Sequence, residues 1–187
     1  KVYNKFLQDA LKLNDRIKQD ILAHLSGWYT YRVRKSERLN EDLQGRSLSQ
    51  SVDDLSFKSE LDKFLLSSDI VSNDPESDFN IMRKKLAGSI FNHLWLSDYY
   101  GDAEEGLTDI IRRSGRFQWY EQATFVSAVI LSSLRSWDPL KIKILSSFYT
   151  DDIANVSERA LVGLILSLYQ YDDRLQLYPD TMELMHE

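Results

Sequence analysis

Glu158–Tyr171 reads E-R-A-L-V-G-L-I-L-S-L-Y-Q-Y, and past Arg159 only Ser167 and Gln170 interrupt Ala, Leu, Val, Gly, Ile and Tyr. A helix that is apolar around its circumference has to be covered on more than one side. At roughly fourteen residues it is too short to cross a bilayer, which needs about 20, so the cover has to come from other helices. Asn155 stands just ahead with Glu158 three residues on, the spacing of a reciprocal N-terminal cap. A second stretch of the same kind, Phe125–Leu134, lies one unit earlier. Together the two demand a packed array of helices, and they carry no reaction of their own.

A regular pattern begins at Asp74. Asp74-Pro75 and Asp138-Pro139 each set a capping side chain before a proline at the first helical position. The periodicity predicts three helix pairs: 77–97 with 103–113, 118–135 with 139–149, and 156–171 with 173–186. Inside each pair an aromatic ring precedes an aspartate, in Tyr100-Gly101-Asp102, Trp137-Asp138 and Tyr171-Asp172, and the aspartates are 36 and then 34 residues apart. The ring is expected to close the first helix while the carboxylate caps the second. Ala87, Ala123 and Ala160, near the starts of the first helices, are 36 and 37 apart. Helix–turn–helix units of about 35 residues are the period of tandem α-repeats, which bury their faces only by stacking. The expected fold class is therefore all-α, an α-α superhelix of stacked antiparallel helix pairs, with a closed helical bundle as the alternative. In the stacked form the apolar first helices of units two and three are an inner layer covered on both sides.

Ahead of this array, residues 4–25 read as an amphipathic helix. Phe6, Leu7, Ala10, Leu11, Ile17, Ile21, Leu22 and Leu25 recur at helical steps, and Ser26-Gly27 ends the run. Trp28–Val33 has strand-like composition but no strand to pair with, so it reads as an extended connection or a helix start. Residues 36–43 read as a short helix and Gly45–Ser51 as a mobile loop. A further helix is expected over 54–67, burying Leu55, Leu61, Phe64 and Leu65. The domain reading is a single all-α domain over 1–187, less regular over 1–73 and with three helix-pair repeats over 74–187. The chain starts at Lys1 without an initiator methionine and reads as a piece of a larger protein.

Glu158–Pro179, E-R-A-L-V-G-L-I-L-S-L-Y-Q-Y-D-D-R-L-Q-L-Y-P, resembles stretches of large, uncharacterised bacterial proteins built from tetratricopeptide-like or HEAT-like helical repeats. The resemblance covers the C-terminal half. The tetratricopeptide pattern of Trp, Leu-Gly, Tyr, Ala, Phe and Pro at fixed positions is missing, and the looser HEAT-like unit accommodates the sequence better. What the resemblance implies is a scaffold of paired helices with no activity attached and no functional residues to carry over.

Charge narrows the choice of partner. Residues 1–40 hold nine Lys/Arg against four Asp/Glu, whereas the rest holds 14 basic and 25 acidic residues, within a net charge of −6. An acidic body repels a phosphate backbone, so nucleic acid is an unfavoured partner except at the first forty residues. Cysteine is absent, which removes disulfides and thiolate chemistry and fits a reducing compartment such as the cytoplasm. No membrane span and no signal-peptide pattern are found.

Candidates for chemistry are few. His24, His93 and His186 fall at no shared helical spacing. Asp98, Asp102, Glu104 and Glu105, and Asp151 with Asp152, cluster at helix starts, where unpaired amides favour acids, so they read as solvated caps. No phosphate-binding glycine loop and no nucleophile elbow is present. Ser132, Ser133, Gly163 and Ser167 read as small residues that let helices approach. The expectation is no enzyme, no cofactor and no metal. Trp28–Arg38 does have binding character, because rings interleaved with cations can stack and pair. Trp28, Tyr29, Tyr31, Arg32, Arg34 and Lys35, with Trp119 and Tyr120, are the candidate partner-binding residues. Tyr99, Tyr100, Tyr171 and Tyr178 are further candidate contact rings. The reading is a non-catalytic protein-interaction scaffold with a protein partner; the alternative is a HEAT-like nucleic-acid module using the basic N-terminal segment.

Overall fold

The computed structural model describes residues 2–25, 48–54 and 75–184. Every regular element among them is an α-helix: α1 (Val2–Leu25), a short helical segment over 48–54, α2 (Pro75–Leu96), α3 (Asp102–Arg113), α4 (Trp119–Arg135), α5 (Pro139–Tyr149), α6 (Ala154–Gln170), α7 (Asp172–Leu175) and α8 (Pro179–Leu184). None of these is long and apolar enough to cross a membrane. The fold is all-α. The predicted helices over 36–43 and beyond residue 54, the Trp28–Val33 connection and the Asp74 cap lie outside the described residues.

The helix starts follow local chemistry. Asp138 is extended, its carboxylate accepts from Leu140 N at 3.0 Å, and Pro139 opens α5. Glu104 reaches back to Gly101 N and Glu121 to Gln118 N, each at 2.8 Å. The other expected caps are corrected. Asp102 and Asp172 are first residues of their helices, behind Gly101 and Tyr171, so only Asp138 caps with its side chain. Asn155 lies inside α6, whose N-cap is Ile153, two residues earlier, its carbonyl bonded at 2.9 Å by both Val156 N and Ser157 N. Val156 is fully buried there, and seating it sets the helix start ahead of any cap. Gly45–Ser51 is not a loop throughout, because residues 48–51 are helical and Leu48 and Val52 enter the core. The expected helix over 173–186 is two short ones, since Pro179 lacks the N–H needed to continue α7 but opens α8.

α2, α4 and α6 lie side by side, with α4 in the middle; α5 packs on α4 and α6, and α3 and α8 pack on α5. The core runs through them from Ile90 and Leu94 to Phe125, Val129, Leu145, Phe148 and Ala160. Small residues bring α4 and α6 together as expected: the Ser133 and Ser167 hydroxyls meet at 2.7 Å, and a Cβ on Gly163 would sit 2.7 Å from Ile130 Cδ1. Polar bonds link one pair to the next at recurring separations. Arg112 grips Asp151 with two bonds at 2.7 and 2.9 Å, 39 residues on. Tyr100 N donates to Asp138 at 2.7 Å over 38 residues, Lys143 to Glu105 over 38, and Gln170 to the Leu134 carbonyl over 36. At the junction of the first two pairs, Lys141 is fully buried. Its ammonium donates to Asp98 O at 2.7 Å, to Ser136 Oγ at 2.8 Å, and to Ser132 O and Ser136 O at 3.3 Å, and it lies 5.2 Å from the Tyr100 ring.

Two apolar faces depart from expectation. α4 is covered on both flanks, but among the described residues α6 packs chiefly on α4 and α5, and Val162, Ile165, Leu166 and Tyr169 remain exposed, because no described helix lies beyond it. The face that α1 turns inward is polar. Asp15 and Gln19 are buried, whereas Phe6, Leu13, Ile17 and Ile21 are exposed. α1 crosses the ends of the helix pairs. Gln19 donates to Arg135 O at 3.2 Å, the Tyr99 hydroxyl donates to Lys12 O at 2.9 Å, Gln8 bonds Leu177 O, and Arg174 clamps both oxygens of Asp15. The turns present bare carbonyls and a guanidinium, and these select the polar side of the helix.

Candidate partner-binding groove

Phe117 is buried edge-on against Phe125, with centroids 5.2 Å apart, and this anchors the approach to α4. Gln118 is extended, Glu121 closes the cap, and the first helical turn thereby carries Trp119 and Tyr120 outward. Both rings are about half exposed (50% and 54%) and hold each other in a T-shaped contact at 5.9 Å. Beside them a groove of about 360 Å³ runs between α4 and α2. Ala87, Gly88, Phe91 and Asn92 form one wall, and Tyr120, Glu121, Thr124 and Phe125 the other.

Gly88 keeps this groove open. It sits inside α2 with no side chain, and nothing lies within 4 Å of where its Cβ would be. Glu121 is held by a two-bond pair with Arg83, and Arg83 also donates to Arg116 O at 3.3 Å, so the acid on the wall is neutralised. Thr124 donates to Tyr120 O at 2.8 Å. Asn92, half-buried, lines the groove, and its side chain makes no hydrogen bond to another described residue. Such a recess offers apolar contact, ring surface and one donor–acceptor group.

Tyr120 is thus the candidate residue that lines the groove, with the exposed Trp119 ring held against it. Trp28, Tyr29, Tyr31, Arg32, Arg34 and Lys35 lie outside the described residues. Of the other candidate rings, Tyr99 is partly exposed, but Tyr100, Tyr171 and Tyr178 are core residues at 8% exposure each and make no outer ridge. Burial pushes the Tyr100 hydroxyl up and that of Tyr171 up to about 12. The Tyr171 hydroxyl donates to Leu134 O at 3.2 Å, and its ring packs 5.3 Å from that of Trp137.

Of the carboxylates read as solvated caps, Asp102 and Asp152 are exposed and Glu104 does cap Gly101 N, but Glu104, Glu105 and Asp151 are also cross-linked. Glu104 meets His93 Nε2 at 2.9 Å, Glu105 takes Lys143 and Asp151 takes Arg112. Burial alone would raise the Glu104 carboxyl, but hydrogen bonds from His93 and from backbone amides outweigh it and hold it below the usual range. The Asp151 carboxylate beside Arg112 raises the guanidinium, and Asp15 does the same for Arg174. None of these shifted groups lines the groove. Among the described residues no group of three His, Asp or Glu is placed to hold a metal ion. His24 and His186 have no described side chain.

The sequence marks Ala87 only as one of the recurring alanines, and does not point to Gly88, Phe91 or Asn92. The available signal was the glycine inside a helical pattern, which costs about 1 kcal/mol against alanine and so marks a reason other than propensity. Compared with protein-family models, with curated proteins and with solved structures, the chain matches none.

Proposed function

We propose that the chain is a non-catalytic protein-interaction scaffold, its helix pairs stacked in the HEAT-like or tetratricopeptide-like manner, and that the α2–α4 groove receives a segment of a protein partner. The observation that carries this reading is the groove: apolar walls, no side chain at Gly88, and the exposed Tyr120 ring on one wall with Trp119 packed against it. Rings bring large contact area at small entropic cost, and aromatic anchors dominate interface energetics. An amide such as that of Asn92 matches the donor and acceptor of a peptide bond. The stacked arrangement is supported by the side-by-side first helices and by cross-links recurring 36 to 39 residues apart. Net charge of −6 argues for protein over nucleic acid.

Selection from a displayed library of random peptides tests it. Gly88→Trp fills the recess, and because Gly88 is an exposed helical position the substitution favours the helix. Selected peptides should lose binding to Gly88→Trp and weaken about thirtyfold with Trp119→Ala. Peptides that bind both variants as they bind the parent chain would refute the groove as the site.

A further inference from the structure

We propose that the outward face of α1 pairs with the same face of a second copy of this chain, as a two-stranded antiparallel coiled coil. The face has the spacing that such a seam requires. Tyr3, Phe6, Ala10, Leu13 and Ile17 follow one another at steps of three, four, three and four. They point away from the body, since Asp15 and Gln19 on the opposite side are the buried residues of the helix. Tyr3, Phe6 and Leu13 are 71%, 68% and 58% exposed, and so much apolar surface in one stripe marks an interaction face. Propensity does not explain a stripe here, because α1 is held by its polar side.

Charge chooses the occupant and its direction. Asp9 and Arg16 flank the seam, both exposed, and neither enters an ion pair with another described residue. When Ala10 lies opposite Leu13 of a second copy running the other way, Phe6 opposes Ile17 and the seam ends where Tyr3 opposes Asp20. In that register Asp9 lies beside Arg16 of the second copy, and the two-fold axis repeats the pair. A parallel pairing sets Asp9 against Asn14 and Arg16 against Ile21, with no opposite charges. α1 itself carries four cations (Lys5, Lys12, Arg16, Lys18) and three anions (Asp9, Asp15, Asp20), so the net charge opposing two such helices is small. The described residues of each copy lie behind its own α1, on the side of Asp15 and Gln19.

Sedimentation equilibrium should give a species of twice 21.8 kDa that dissociates on dilution. Asp9→Arg or Arg16→Asp alone turns both flanking pairs repulsive and should weaken association about tenfold, while the double swap Asp9→Arg/Arg16→Asp restores it. These positions are exposed, so circular dichroism should show an unchanged fold. The chain has no cysteine, which allows a direct check of register. Ala10→Cys mixed with Leu13→Cys should cross-link as a heterodisulfide, and neither alone should. A monomer at every concentration, a dimer indifferent to the charge swaps, or cross-linking of either cysteine variant with itself alone would each overturn the proposal.

Discussion

Replacing Lys141 by Met tests how the buried junction between the first two helix pairs is held. Methionine keeps the length of the chain but removes the ammonium. The two short bonds lost, to Asp98 O at 2.7 Å and Ser136 Oγ at 2.8 Å, are charge-assisted. Bonds of that kind contribute about 1.5–3 kcal/mol each, or about 3–6 kcal/mol gross. Relief from holding a cation out of water returns several kcal/mol. Some acceptors keep a partner: Asp98 O retains the Ser136 hydroxyl at 2.9 Å, and Ser132 O retains Ser136 N at 3.1 Å. The expected net loss is about 2–3 kcal/mol, below the gross figure because few atoms are left bare. With a slope of about 2–3 kcal/mol/M, the urea midpoint should fall by about 1 M at an unchanged slope. Ser136→Ala, which removes one hydroxyl, should cost about 1 kcal/mol. A Lys141→Met midpoint equal to or above that of the parent chain would show that desolvation of the ammonium outweighs its bonds, and the reasoning would fail.

Three further outcomes follow from the packing and the shifted groups. Gly163→Ala should lower stability by about 1–2 kcal/mol in a thermal melt, since overpacking against Ile130 exceeds the gain in helix propensity. Glu104 has a depressed folded pKa, so its contribution is present above the ordinary value of 4.5 and is lost as pH falls through the folded value; Glu104→Gln should erase that part of the acid limb in urea titrations at stepped pH. Tyr171 is raised from 10.0 to about 12, so its contribution is complete below pH 10 and disappears as pH climbs to about 12. Tyr171→Phe should flatten that alkaline limb, and ultraviolet titration should show one fewer late-ionising phenol.

Much of the helical layout was legible. The Asp138-Pro139 device and the apolar runs place α4, α5 and α6 to within a few residues of their observed ends, because a proline at the first position and a long periodic pattern act locally. What failed depended on neighbours. The periodic pattern of α1 shows an apolar stripe but cannot say which side faces inward; the carbonyls of the turns and Arg174 decide that, and they are more than eighty residues away in sequence. The Asn155–Glu158 spacing fits a cap, yet burial of Val156 starts α6 earlier. Tyr100 and Tyr171 resemble surface rings by type, while the fold uses them as core. The groove depends on a residue with no side chain beside a ring 32 positions later, a juxtaposition that exists only once α2 lies against α4.

The placement of α1 has a mechanical consequence. Links between neighbouring helix pairs span about one unit, so each junction can flex with little effect on the others. α1 is a rod of 24 residues, about 36 Å long, pinned at Tyr99, Arg135, Arg174 and Leu177. Bending of the array would have to stretch or shear those pins, because a helix does not lengthen. α1 therefore acts as a splint that fixes the pitch between successive pairs, and with it the width of the opening beside Tyr120.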